Sequence, residues 1–166
     1  MAAEDVSVQA HRDGDRVEVQ AHATVAASRA LVWQVLTDYE SLPKFIPGIT
    51  RSVVRERRAE RMFVEQSGEA RFLIFSFPIE VRLEVTENAP DSVVSRAVAG
   101  NLRRMDGRYD LSGEAAGVTQ VRYRGVIEPS FSLPPLVGVA ALRAMAEEQF
   151  TAMVQEIERR AAGAGK

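Results

Sequence analysis

Few side chains in this 166-residue chain are able to do chemistry, and their types exclude most reactions at the outset. There is no cysteine, hence no thiol nucleophile, thiolate metal site or disulfide. His11 and His22 are the only histidines. The first falls in an N-terminal arm and the second on the polar face of a strand, so neither reads as a general base. No Gly-x-Ser-x-Gly, glycine-rich phosphate loop or His-Glu-x-x-His pattern occurs. The carboxylates are scattered on outward or alternating positions, which argues against a metal centre. No catalytic residue, metal or cofactor is therefore expected. Two tyrosines are more informative, because Tyr109 and Tyr123 share inward parity in adjacent late strands. A buried hydroxyl needs a partner, which here is the other tyrosine, a water or a ligand carbonyl.

The aromatic side chains extend that pattern. Phe72, Phe75 and Phe77 gather around one bend, Phe131 precedes the final helix and Phe150 lies within it. They read either as plain core or as the lining of a ligand chamber. Met145 would suit a wall of adaptable shape. Inward parity adds Val81, Met105 and Gly125 to the candidate lining, and the helix adds Leu142.

The elements that must position these residues follow from periodicity. From Pro134 to Arg160, apolar residues including Leu136, Val139, Leu142, Met145, Phe150, Met153 and Ile157 recur at three- and four-residue steps. About 25 residues at 1.5 Å rise make a helix of roughly 37 Å, which must lie across a curved sheet. Arg16 to Val25 alternates as a half-buried strand. Ser28 caps a short helix, and a second helical turn spans Leu42 to Ile46. Strands are then expected over 52–56, 62–67, 71–77, 79–87, 93–99, 103–111 and 119–128, with a bulge or bend at Pro78. Short links imply an antiparallel meander. The class is α+β: six to seven strands curved around a long C-terminal helix, with two short helices after the first strand. Residues 1–15 read as an arm or extra strand, 16–160 as one domain, and 161–166 as a disordered tail.

Net charge is −2, so no global field attracts nucleic acid. Among 21 basic residues only Lys44 and Lys166 are lysines. The arginine excess reflects biased base composition or a few arginines turned inward toward a ligand; Arg82, Arg96, Arg104, Arg122 and Arg124 fall on outward parity. No apolar run has membrane-spanning length and the first residues lack a secretory pattern, so a cytoplasmic address is expected. The segment from Pro129 to Pro135 reads as a lid, a transient membrane contact or a rigid connection.

The stretch Val32-Trp33-Gln34-Val35-Leu36-Thr37-Asp38-Tyr39-Glu40-Ser41-Leu42-Pro43-Lys44-Phe45-Ile46-Pro47-Gly48-Ile49, with Gly107 to Leu111 later, resembles the START-like superfamily (SRPBCC) of polyketide cyclases/dehydrases. It is most similar there to the coenzyme Q-binding cyclase/dehydrase group, and the resemblance spans about residues 16–160. It implies a helix-grip (START/Bet v 1-like) fold with a cavity between sheet and helix for lipids, quinones, sterols or polyketides, and carries over no catalytic motif. The leading expectation is a non-enzymatic binding or carrier protein for a hydrophobic small molecule. A polyketide aromatase/cyclase acting by substrate orientation, and a protein-interaction module without a ligand, are the alternatives.

Overall fold

The computed structural model describes residues 6–72, 75–113, 117–130 and 137–164. Strands β1 (Ser7–Asp13) and β2 (Arg16–Val25) form a hairpin closed by Gly14, whose φ of +62° suits a two-residue turn. Helix α1 (Arg29–Leu36) follows, capped where the Ser28 hydroxyl accepts the Leu31 N–H at 3.2 Å. A 3₁₀ turn (Tyr39–Ser41) and the short helix α2 (Leu42–Phe45) lead into β3 (Ile49–Arg58) and β4 (Arg61–Phe72). Strands β5 (Phe75–Asn88), β6 (Ser92–Gly100), β7 (Leu102–Ser112) and β8 (Thr119–Pro129) complete the sheet, and α3 (Val137–Ala164) closes the fold.

All strand pairs are antiparallel, in the order β1-β2-β8-β7-β6-β5-β4-β3. Among the described residues the sheet has eight strands where six to seven were expected. One addition is β1, which pairs along its length with β2. The expected strand over 71–77 is divided between two strands: β4 runs to Phe72 and β5 begins at Phe75, its register partner. Pro78 makes no bulge, because it pairs in register with Glu69. The Glu69 N–H points the other way, to the Gly48 carbonyl at 2.9 Å, and β6 joins β5 only from Val81 onward. Pro78 therefore occupies a ladder position that needs no N–H. Curvature comes instead from register shifts at Ile49/Arg51, Val54/Glu56, Arg82/Leu83 and Leu102/Arg104.

Helix α3 packs on β1, β2, β4 and α1, the helix-grip arrangement. It continues to Ala164, so residues 161–164 are helical and not the tail expected from sequence. Val154 and Ile157, both fully buried, belong to one hydrophobic cluster with Val25, Val32 and Val35. The outer face of the sheet carries the arginines. Arg96, Arg122 and Arg124 are exposed, and Arg82, Arg96, Arg104 and Arg108 pair with Glu56, Glu84, Asp106 and Asp110. Such solvated pairs stabilise by about 0–1 kcal/mol each. Their chief effect is to keep a long sheet soluble on one side while the other faces the helix.

Candidate functional site

The concave face of the sheet and the N-terminal half of α3 enclose a cavity of about 410 Å³, within the range of roughly 300–1,000 Å³ common for small-molecule sites. Strand register fixes its long axis. At one end lie Leu36, Tyr39, Val85 and Val93, all buried; at the other lie Glu69, Pro78, Asn101 and Ser130, all exposed. The mouth is therefore at the Pro78–Asn101 end. Asn101 shapes it: its side chain donates to the Pro78 carbonyl (2.7 Å) and accepts the Glu80 N–H (3.0 Å), while its own carbonyl accepts the Ser130 hydroxyl at 2.8 Å. On the facing side, Gln149 of α3 donates to the Pro47 carbonyl at 3.0 Å, holding the α2–β3 loop beside the helix.

Nine residues expected at the site from sequence line this cavity: Phe77, Val81, Met105, Tyr109, Tyr123, Gly125, Leu142, Met145 and Phe150. Phe72 and Phe75 have strand backbones at the β4–β5 turn, but their side chains, like all of Phe131 and the expected helix start at 134–136, lie outside the described residues. No arginine, lysine or histidine lines the cavity among the described residues. Of the two readings of the arginine excess, the one with arginines turned inward finds no support among the described residues, and Arg82, Arg96, Arg104, Arg122 and Arg124 lie on the outward parity assigned to them. Sequence reasoning missed Tyr39, Ser95 and Gln149. Ser95 was accessible to it, because Val93, Ser95 and Ala97 alternate on the inward parity of β6.

Inside this mostly apolar wall, the hydroxyl-bearing side chains of Ser95, Tyr109 and Tyr123 occupy adjacent rows of three neighbouring strands. Tyr109 and Tyr123 are register partners with ring centroids 4.8 Å apart and planes tilted by 49°. In the adjacent cross-strand row toward the mouth, Ser95 pairs with Gly107 and Gly107 with Gly125. The Tyr123 phenol leans over these two glycines. A Cβ built on Gly107 would lie 3.0 Å from the Tyr123 hydroxyl and 3.2 Å from Ser95 Oγ. None of the three hydroxyls makes a hydrogen bond within the described residues. Both tyrosines keep partial accessibility, and the surface they expose is cavity wall.

Burial, then the neighbouring Tyr123, pushes the Tyr109 phenol upward; burial, then the Asp106 charge, pushes Tyr123 up to about 12. Both stay protonated near neutrality and act as hydrogen-bond donors, not as bases. At the inner end the Tyr39 hydroxyl is already committed to Glu87. Among the described residues Glu69 is the only carboxylate in the lining, and it sits exposed at the mouth. The arrangement is suited to enclosing an apolar body and offering it neutral donors; among the described residues it holds no acid–base pair and no metal cluster.

Residues 25–154 match the family model described as "Polyketide cyclase / dehydrase and lipid transport". No curated protein matches the sequence. Among solved structures, the Zhui aromatase/cyclase from Streptomyces sp. R1128 is similar with a TM-score of 0.73 at 19% identity, covering 87% of this chain and 95% of that one. The STAR-related lipid transfer protein from Xanthomonas axonopodis gives 0.76 at 17% identity, over 95% and 96% of the two chains. Human STARD10 gives 0.72 at 13% identity, over 92% and 69%. At these identities the likeness establishes the fold.

Proposed function

This chain belongs to the polyketide cyclase/dehydrase and lipid transport family, and from that premise we propose that it is a binding or carrier protein for a hydrophobic small molecule. A lipid, a quinone of the coenzyme Q kind or a polyketide-like compound is held between sheet and α3. The observation that supports this most is the cavity of about 410 Å³, whose lining among the described residues holds no cation and one exposed carboxylate at its rim. The protein-interaction alternative expects a chamber filled by Phe72, Phe75, Phe131 and Phe150; of these only Phe150 has a described side chain, and it lines the cavity wall. Transient membrane contact at the mouth, a cytoplasmic address and no nucleic-acid partner complete the proposal. No helix among the described residues is long and apolar enough to cross a membrane.

Native mass spectrometry of the purified protein tests the reading. A noncovalent apolar mass, or uptake of the neutral fluorophore N-phenyl-1-naphthylamine, is expected. Ala146 lines the wall from α3, and Ala146→Trp should abolish both. A protein that carries no adduct and takes up no fluorophore is not a carrier.

The convergence of Ser95, Tyr109 and Tyr123 favours a second reading, an aromatase/cyclase that folds a flexible chain by orientation. Cyclised product from a linear polyketone, at a rate above solution and lost with Ala146→Trp, would establish it over the carrier.

A further inference from the structure

The three hydroxyls, without a hydrogen-bond partner among the described residues, sit toward the inner end of an apolar cavity, where an isolated polar group is costly unless something pairs with it. We propose that Ser95, Tyr109 and Tyr123 form an anchor for one uncharged oxygen acceptor of an otherwise apolar ligand, a ketone, a quinone carbonyl or an alcohol. This rests on the carrier reading and narrows it to a substrate class.

Three features carry the choice. The first is geometry: the hydroxyls come from three consecutive strands, and the Tyr109–Tyr123 and Gly107–Gly125 pairs are in direct register. A strand side chain stands off the sheet, and the facing glycines leave the depression into which the Tyr123 phenol folds. A side chain at either glycine would meet that phenol at 3.0 Å or less, so the seat exists only because both positions lack a Cβ. The second is charge. Among the described residues the lining offers no cation to a carboxylate or phosphate, so burying one against them would leave it uncompensated. A neutral carbonyl needs only donors, and three hydroxyls are present without a hydrogen-bond partner among the described residues. The third is position. The anchor lies in the Val93 and Ser95 rows, well inside the Pro78–Asn101 mouth. The oxygenated end of the ligand thus enters first, and its apolar remainder lies against Met105, Met145 and Phe77.

Displacement of N-phenyl-1-naphthylamine by a medium-chain methyl ketone, the alkane of equal length and the corresponding fatty-acid anion tests the anchor. The ketone should bind about tenfold more tightly than the alkane, the worth of roughly one retained hydrogen bond, and more tightly than the anion. In Tyr109→Phe/Tyr123→Phe the ketone-to-alkane ratio should fall to within about twofold of unity, with Ser95→Ala intermediate. Infrared spectra of a carbon-13-labelled ketone give a second readout: the bound carbonyl stretch should be red-shifted in the wild type and return toward its hydrocarbon-solvent position in the double variant. Equal binding of ketone and alkane by the wild type, tighter binding of the anion, or a preference that survives in the folded double variant would each overturn the anchor while leaving the carrier intact. A wild-type protein that takes up no fluorophore would remove the carrier reading, and the anchor with it.

Discussion

The Tyr39 hydroxyl donates a 2.6 Å hydrogen bond to a Glu87 carboxylate oxygen, joining the turn after α1 to the inward face of β5 at the inner end of the cavity. Alternation places Glu87 on the same parity as Val81, Leu83 and Val85, so its carboxylate points toward the interior and must be satisfied there. Tyr39 supplies the donor. Burial, and then the bond itself, raise the phenol well above its ordinary value. A raised folded value means the contribution is complete below about pH 10 and declines only as pH rises beyond it. Tyr39→Phe should lower stability by about 1–2 kcal/mol, equally at pH 6 and pH 8. Urea denaturation at both values checks this; an unchanged midpoint would mean that water satisfies Glu87 as well as tyrosine does.

A second tie has the opposite pH sense. Glu156 of α3 accepts from Arg159 and from Arg160 at 2.7 Å, and Arg160 also reaches Asp38 at 3.0 Å and lies over the Phe45 ring at 5.5 Å. The two guanidiniums, led by the Arg159 hydrogen bond, hold the Glu156 carboxyl down at about 2. A depressed folded value means the stabilisation is complete above the ordinary value near 4.5 and is lost as pH falls from there toward 2. Glu156→Gln should therefore be less stable than wild type at pH 7 and converge on it by about pH 2–3. Thermal melts across that range check it, and a gap that stays constant would refute the pairing as its cause.

Thr119 is fully buried, and its hydroxyl donates to the Ala27 carbonyl at 2.8 Å, joining the start of β8 to the residue before the α1 cap. Thr119→Val keeps the volume and removes the donor, leaving a buried carbonyl short of a partner. A loss of about 1–2 kcal/mol is expected in chemical denaturation, with ligand uptake unchanged because this contact lies apart from the cavity. Wild-type stability in the variant would show that the carbonyl finds another donor.

The sequence made the wall legible where periodicity carried the information. Leu142, Met145 and Phe150 on one helical face, and Tyr109 and Tyr123 on one parity of adjacent strands, all line the cavity. What stayed illegible depends on register between strands. Nothing in the chain says that Gly107 faces Gly125, or that Ser95 stands beside them. The same gap explains Pro78, which signals a bend locally yet costs nothing where β6 has not yet joined β5. The β1 arm, short and flanked by charge, signals fraying until its partner β2 is seen.

Gly125 brings these levels together. Its inward parity suggests that bulk there blocks the cavity, and tryptophan would be the natural probe. The Tyr123 ring already occupies the space, however: a Cβ on Gly125 would lie 2.8 Å from Tyr123 Cζ and closer to the hydroxyl. Alanine is therefore sufficient to lift the phenol off its seat and into the chamber. Because the obstacle is the far end of a side chain, the strand can keep its ladder, and the cost should stay near 1–2 kcal/mol. Gly100 makes the control. Its φ is +128°, and a Cβ there would lie 2.8 Å from Val81 Cα and 3.0 Å from the Glu80 carbonyl carbon, which cannot rotate away. Gly100→Ala should lose more than about 2 kcal/mol. Gly125→Ala should instead remain folded while fluorophore uptake falls severalfold, as paired melting and titration measurements will show. Full uptake in folded Gly125→Ala would mean that the Tyr123 phenol does not border the bound molecule.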